Sequence, residues 1–171
     1  MEWIDTYTSP LGNMLIAADE IGITGIWFEK QKYYASSLSK EREAAKTPAI
    51  EAAECWLKLY FEGKAPDFSV PLHLIGTDFQ RRVWGLLLAI PYGKTRTYGD
   101  LAAQIAKETG RKRMSAQAVG SAVGHNKISI LVPCHRVVGA GGNLTGYAGG
   151  LDKKIFLLKL ENGYQPNFYL P

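Results

Sequence analysis

With 171 residues, 46% of them hydrophobic and 21% charged, the chain has the size and composition of an ordinary globular protein, which excludes a disordered or fibrous one. No stretch approaches the roughly 20 apolar residues of a membrane-spanning helix, and Met1-Glu2-Trp3-Ile4-Asp5 lacks the basic and apolar regions of a secretion signal, so a cytoplasmic protein without a membrane partner is expected. The net charge of +4 is unevenly spread: residues 1–80 hold 7 basic and 12 acidic side chains, residues 81–127 hold 9 and 2, and such a basic middle suits a polyanion or a merely solvated surface.

The short apolar runs Met14–Ala18 and Gly22–Phe28, separated by turn residues, predict an antiparallel strand meander over 1–30. Residues 31–46 are polar and poorly patterned, and a short helix or a loop both remain open there. Thr47-Pro48 starts a helix in which Ile50, Ala53, Trp56, Leu57, Tyr60 and Phe61 recur at helical spacing until Gly63. Phe68–Leu72, with Pro71, reads as an edge strand. Residues 1–75 therefore form a small N-terminal domain of sheet and helix.

Residues 76–171 read as a second, mainly helical domain. Thr77 or Asp78 caps a helix to about Ile90, Pro91-Tyr92-Gly93 breaks it, and Thr97 caps a helix from Tyr98 to about Lys107. A basic connector, Thr109–Met114, leads to Ser115 and a third helix, Ala116 to about Val123, so the pair suggests a helix-turn-helix with a connector longer than the usual roughly 3–4 residues. Ile128–Val132 predicts a short strand running into Pro133-Cys134-His135-Arg136. A glycine-rich loop, Gly139–Gly150, precedes the last helix, Leu151 to Leu160, which a glycine at 163 closes.

Cys134 carries the chemistry. Two cysteines, Cys55 and Cys134, make neither a disulfide framework nor a C-x-x-C zinc pattern, so both are expected as free thiols. A cysteine at a strand end can simply pack as a small hydrophobe. Adjacent His135 and Arg136 instead favour a thiolate, a strong nucleophile at neutral pH.

Ile130–Gly139, with Pro133-Cys134-His135-Arg136 at its centre, resembles the active-site signature of the O6-alkylguanine-DNA alkyltransferases. The likeness continues through Thr145–Gly150, Leu157–Glu161, Phe79–Trp84 and Thr97–Ala102, and covers residues 77–163. It implies an α+β fold: a small ribonuclease-H-like α/β domain with an antiparallel sheet, then a helical domain with a winged-helix-like helix-turn-helix. It implies stoichiometric transfer of an alkyl group from O6-alkylguanine in double-stranded DNA to Cys134, leaves O4-alkylthymine open, and requires the damaged nucleotide to be flipped out of the stack. His135 would take the thiol proton through a water, Glu161 would orient His135, Asn126 would brace the turn, and Tyr98 would donate to the leaving guanine. Tyr147, Ala148, Val137, Ser129 and Gly149 would line the base pocket. The third helix would enter the minor groove through Ser115, Ala116, Gln117, Ala118 and Gly120, helped by Thr97, Arg111, Arg113 and Arg136.

Gln117 stands where the family usually has an arginine. No cofactor is expected, the first domain has too few cysteines and histidines for the zinc site of some relatives, and a monomer suffices. A damage-binding module would lack Cys134, a cysteine hydrolase would need a more distant histidine, and a helix-turn-helix regulator would leave the thiol unexplained.

Overall fold

The computed structural model describes residues 1–171, which form two units: Met1–Ile75 with Lys127–Ser129, and Gly76–Asn126 with Ile130–Pro171. In the first unit, β1 (Glu2–Ser9), β2 (Gly12–Ala18) and β3 (Ile23–Phe28) make the expected antiparallel meander. The β1–β2 turn is two residues long and closes on Gly12 at φ +102°, a backbone region that favours glycine. Every residue of β3 is buried, the polar Thr24 included.

Residues 31–46 contain neither a helix nor a plain loop. They wind through turns into a three-residue strand, β4 (Arg42–Ala44), parallel to β1, so the sheet is mixed, in the order β3-β2-β1-β4. The buried Glu2 carboxylate holds this segment, accepting from Thr24 Oγ1 at 2.7 Å and from the Ser39 N–H at 2.5 Å. Helix α1 (Pro48–Phe61) starts where Thr47 accepts from the Ile50 N–H, and buries Ile50, Ala53, Leu57 and Tyr60. The edge strand expected over 68–72 shrinks to one bridge between Leu72 and Ile23. Lys127–Ser129 join this unit through a bridge between Ile128 and Ile26, flanked by N–H···O bonds of 2.8 and 3.0 Å.

The second unit holds α2 (Asp78–Leu88), β5 (Arg96–Thr97), α3 (Tyr98–Glu108), α4 (Ala116–Gly124), β6 (Val137–Val138) and α5 (Leu151–Leu160). Thr77 with Gln80 and Thr97 with Asp100 form capping boxes, and Ser115 caps α4. Trp84 of α2 donates its indole N–H to the Ala122 carbonyl of α4 at 2.9 Å. The parallel pair β5–β6 is the only sheet of this unit. The strand expected over 128–132 does not form, because Ile130 takes a left-handed φ of +70° and turns the chain. Helix α5 ends on Asn162 at φ +57°, not on Gly163, with the Gly163 N–H bonded to Leu158 O at 2.8 Å in the six-to-one pattern of a Schellman close. No helix is long and apolar enough to cross a membrane.

Candidate active site

The segment between Ile130 and β6 is a tight turn with a reactive residue at its apex. A β-branched residue in the left-handed region is costly, so Ile130 needs its surroundings to hold it. Two residues later Val132 O accepts the Cys134 N–H at 2.8 Å, and Pro133 O accepts the Arg136 N–H at 3.0 Å. Cys134–Arg136 thus form one 3₁₀ turn, delivered directly into β6. Asn126 is buried and braces this turn as expected: its Nδ2 donates to Val132 O at 2.9 Å, and its side chain also bonds the Cys134 thiol. Replacing Asn126 with alanine removes its bond to Val132 O and its bond to the thiol, and is expected to destabilise the fold by about 1–2 kcal/mol in urea unfolding; an unchanged midpoint would contradict this brace.

His135 and Glu161 meet as the resemblance implies. Nε2 of His135 lies 2.5 Å from Glu161 Oε2, with both side chains fully buried. Arg136 differs from expectation. Only 8% exposed, it donates from Nε and Nη2 to Glu161 at 2.7 and 3.1 Å and from Nη1 to Ile90 O at 2.7 Å, and its guanidinium lies over the Tyr92 ring. It is an internal ion-pair partner and offers nothing to a surface ligand. Glu161 also accepts the Gly93 N–H at 3.2 Å. Burial alone pushes its carboxyl up, but the bonds from His135 and the Arg136 guanidinium hold it down at about 2.

The electrostatics correct a second expectation. Burial pushes the Cys134 thiol up, against the Asn126 bond and the charge of Lys154, which pull it down. Burial likewise holds His135 below its ordinary value, despite its bond to Glu161. The resting pair is therefore a thiol beside a neutral imidazole, and Arg136 is neutralised by Glu161. Since an ionised carboxylate has no proton to give, Nε2 carries the imidazole hydrogen and Nδ1 the lone pair.

Lys154 is the residue that sequence reasoning missed. Its side chain is 0% exposed, and Nζ donates to the carbonyls of Val137 (2.6 Å), Gly146 (3.0 Å) and Thr145 (3.2 Å). Burial lowers its amine to about 8, and the neighbouring thiol opposes that shift. A signal was present: Lys154, Leu157, Leu158 and Glu161 recur at i, i+3, i+4 and i+7, so a lysine and a glutamate sit on the inward stripe of α5.

Of the expected pocket residues, Tyr147 has a buried hydroxyl whose pKa is driven well up by burial, with the neighbouring Cys134 and the Glu161 carboxylate adding to the shift. Ala148 and Gly149 are half-buried in the adjoining turn. Val137 is fully buried and its carbonyl accepts from Lys154 Nζ. Ser129 groups with the first unit, where its buried hydroxyl donates to Gln31 Oε1 at 3.2 Å. Tyr98 keeps its proton, with a pKa pushed up to about 12 by burial and the nearby thiol, and donates to Thr145 O at 3.0 Å. No group of three or more His, Cys, Asp or Glu side chains could hold a metal.

On α4, Val119, Ala122 and Val123 face inward, while Ala116, Gln117, Ala118 and Ser121 are exposed and Gly120 faces the Tyr98 ring. Ser115 and Thr97 use their hydroxyls as helix caps. Arg111 and Arg113 are exposed on the connector.

Two family profiles cover most of the chain: the ribonuclease-like domain of 6-O-methylguanine DNA methyltransferase over residues 4–74, and its DNA-binding domain over residues 78–163. The methylated-DNA–protein-cysteine methyltransferase of Mycobacterium bovis is 44% identical over 94% of this chain and 93% of its own length. That of Methanosarcina acetivorans is 45% identical over 91% and 95%. The crystal structure of Mycobacterium tuberculosis OGT in complex with DNA superposes with a TM-score of 0.78 at 42% identity, covering 94% of this chain and 92% of that one.

Proposed function

This chain belongs to the 6-O-methylguanine DNA methyltransferase family, and on that premise we propose that Cys134 is the acceptor and that the residues around it carry the transfer. The reaction is direct repair of DNA by alkyl transfer to a cysteine of the protein itself. The observation that supports Cys134 is the contiguous arrangement of Asn126, Cys134, His135 and Glu161, linked by bonds of 2.5–2.9 Å to the turn and to each other.

The substrate is O6-alkylguanine, flipped out of duplex DNA because its alkyl carbon is out of reach inside the stack. His135 Nδ1 takes the thiol proton through a bridging water, and the imidazolium so formed is stabilised by Glu161. The thiolate attacks the alkyl carbon, a carbon–sulfur bond forms as the carbon–O6 bond breaks, and the departing guanine receives a proton or hydrogen bond from Tyr98. The product is a neutral thioether, and no group in the site can cleave it, so each molecule reacts once. Tyr147, Ala148 and Gly149 wall the base pocket. The small exposed residues of α4 allow close approach to the minor groove, with Gln117 directed at the gap left by the flipped base. A monomer in a reducing, cytoplasmic compartment fits two free cysteines and a substrate in DNA.

Intact-protein mass spectrometry after mixing with a duplex carrying O6-methylguanine tests this reading. One methyl group per molecule, on the peptide containing Cys134, is expected. A methyl on another residue, or none, would overturn it.

A further inference from the structure

The segment between α3 and α4 is unusually long for a helix-turn-helix and carries charge that nothing in the protein offsets. Helix α3 ends at Glu108 and α4 begins at Ala116, with Thr109–Ser115 between them, against the roughly 3–4 residues usual for such a turn. The start of this segment is well set. Gly110 adopts φ +68°, and the Arg111 N–H closes on Ala106 O at 2.9 Å, a Schellman close that fixes where the following side chains emerge.

Arg111, Lys112 and Arg113 are all exposed, and none is ion-paired. Elsewhere in this unit the arginines are engaged: Arg81 with Asp78, Arg82 with Glu108, Arg96 with Gln104 and Asp100. Two clefts flank the connector, and Arg111 and Met114 line both. The one on the α2 side, about 600 Å³, contains Asp78 and the two paired arginines. The other, about 470 Å³, has a floor of α3 alanines and a rim of Lys107, Arg111, Lys112 and Arg113, with no carboxylate. Ala116, the first residue of α4, lines the same cleft.

Resting on the DNA-repair reading above, we propose that this connector is a second phosphate-contact surface, which grips the sugar-phosphate backbone of duplex DNA beside the stretch engaged by α4. Four unpaired cations spread along a shallow, small-residue floor suit an extended run of phosphates. A single small anion would need donors converging on one point. The continuity with the first turn of α4 makes the backbone of the same duplex the polyanion that reaches it, and point charges of this kind hold DNA without reading its sequence.

The test is the salt dependence of binding to an unmodified duplex, comparing the wild type with Arg111→Ala/Lys112→Ala/Arg113→Ala. Each lost phosphate contact flattens the plot of log affinity against log salt by about 0.9, so losing three makes the fall between 50 and 200 mM salt about fortyfold smaller. Arg111→Lys/Arg113→Lys keeps the charge and is expected to keep the wild-type slope. Melting temperatures of all three proteins should agree, since the replaced side chains are exposed. An unaltered slope in the triple variant overturns the proposal, as does an equal loss of slope in the charge-preserving variant. If the wild type takes no methyl from damaged duplex, the repair reading fails on its own; if it does and the slope is unaltered, only the connector assignment falls.

Discussion

Replacing Glu161 with alanine is expected to destabilise the protein by about 3–5 kcal/mol and to abolish alkyl transfer. Its carboxylate accepts from His135, from two nitrogens of Arg136 and from the Gly93 amide. Removing it strands a guanidinium that is only 8% exposed, and an uncompensated buried charge is among the costliest single defects. The imidazole also loses the group that orients it and stabilises its protonated form. Glu161→Gln keeps most of the shape but not the charge, and should retain the fold better while slowing transfer on the order of 10³-fold. Urea unfolding and single-turnover transfer measure the two effects separately. Wild-type stability in the alanine variant would show that Arg136 finds another partner, and an undiminished rate in both variants would remove Glu161 from the mechanism.

The same carboxylate sets a pH dependence. Its pKa in the folded protein is about 2, below the ordinary 4.5, so the unfolded chain binds the proton first as pH falls. The stabilisation, roughly 3 kcal/mol by linkage, is complete above the ordinary carboxyl range and disappears as the pH approaches 2. The Glu161→Gln variant should lack this part of the acid sensitivity.

Lys154→Met is expected to spare folding and damage reactivity. The charged amine is buried at a cost, which its lowered pKa of about 8 records, while its three carbonyl bonds repay that cost locally. Methionine removes both, and the opposing contributions cancel to within about 1–2 kcal/mol. The thiol has no such compensation. Lys154 supplies positive charge that favours the thiolate, so its loss should move the pH profile of Cys134 alkylation by a small thiol reagent to more alkaline values and slow transfer at neutral pH on the order of tenfold. An unmoved profile would mean that Lys154 only anchors the loop. In the wild type the folded amine deprotonates before the unfolded one. The penalty for burying it is therefore present below about pH 8 and relieved as the pH rises toward 10.5, a rise in stability that the methionine variant should not show.

Glu161 and Lys154 differ in how visible they were from the sequence, and the difference is instructive. Glu161 was reached through the likeness of Leu157–Glu161 to the alkyltransferases, which also carried Cys134, His135 and Asn126. Lys154 lay outside any quoted motif, and only its place on the inward stripe of α5 marked it. The likeness placed Arg136 among the DNA contacts; what turns it inward is a carboxylate 25 positions away.

The amino-acid sequence by itself determined the five helices, since apolar spacing and the caps Thr47, Thr77, Thr97 and Ser115 act within one or two turns. It also marked the reactive thiol. Only the tertiary structure decided that β4 pairs parallel to β1, that residues 128–132 turn rather than extend, and which cations serve the site. Strand pairing and buried ion pairs draw their free energy from partners distant in sequence, whose arrival no local pattern records.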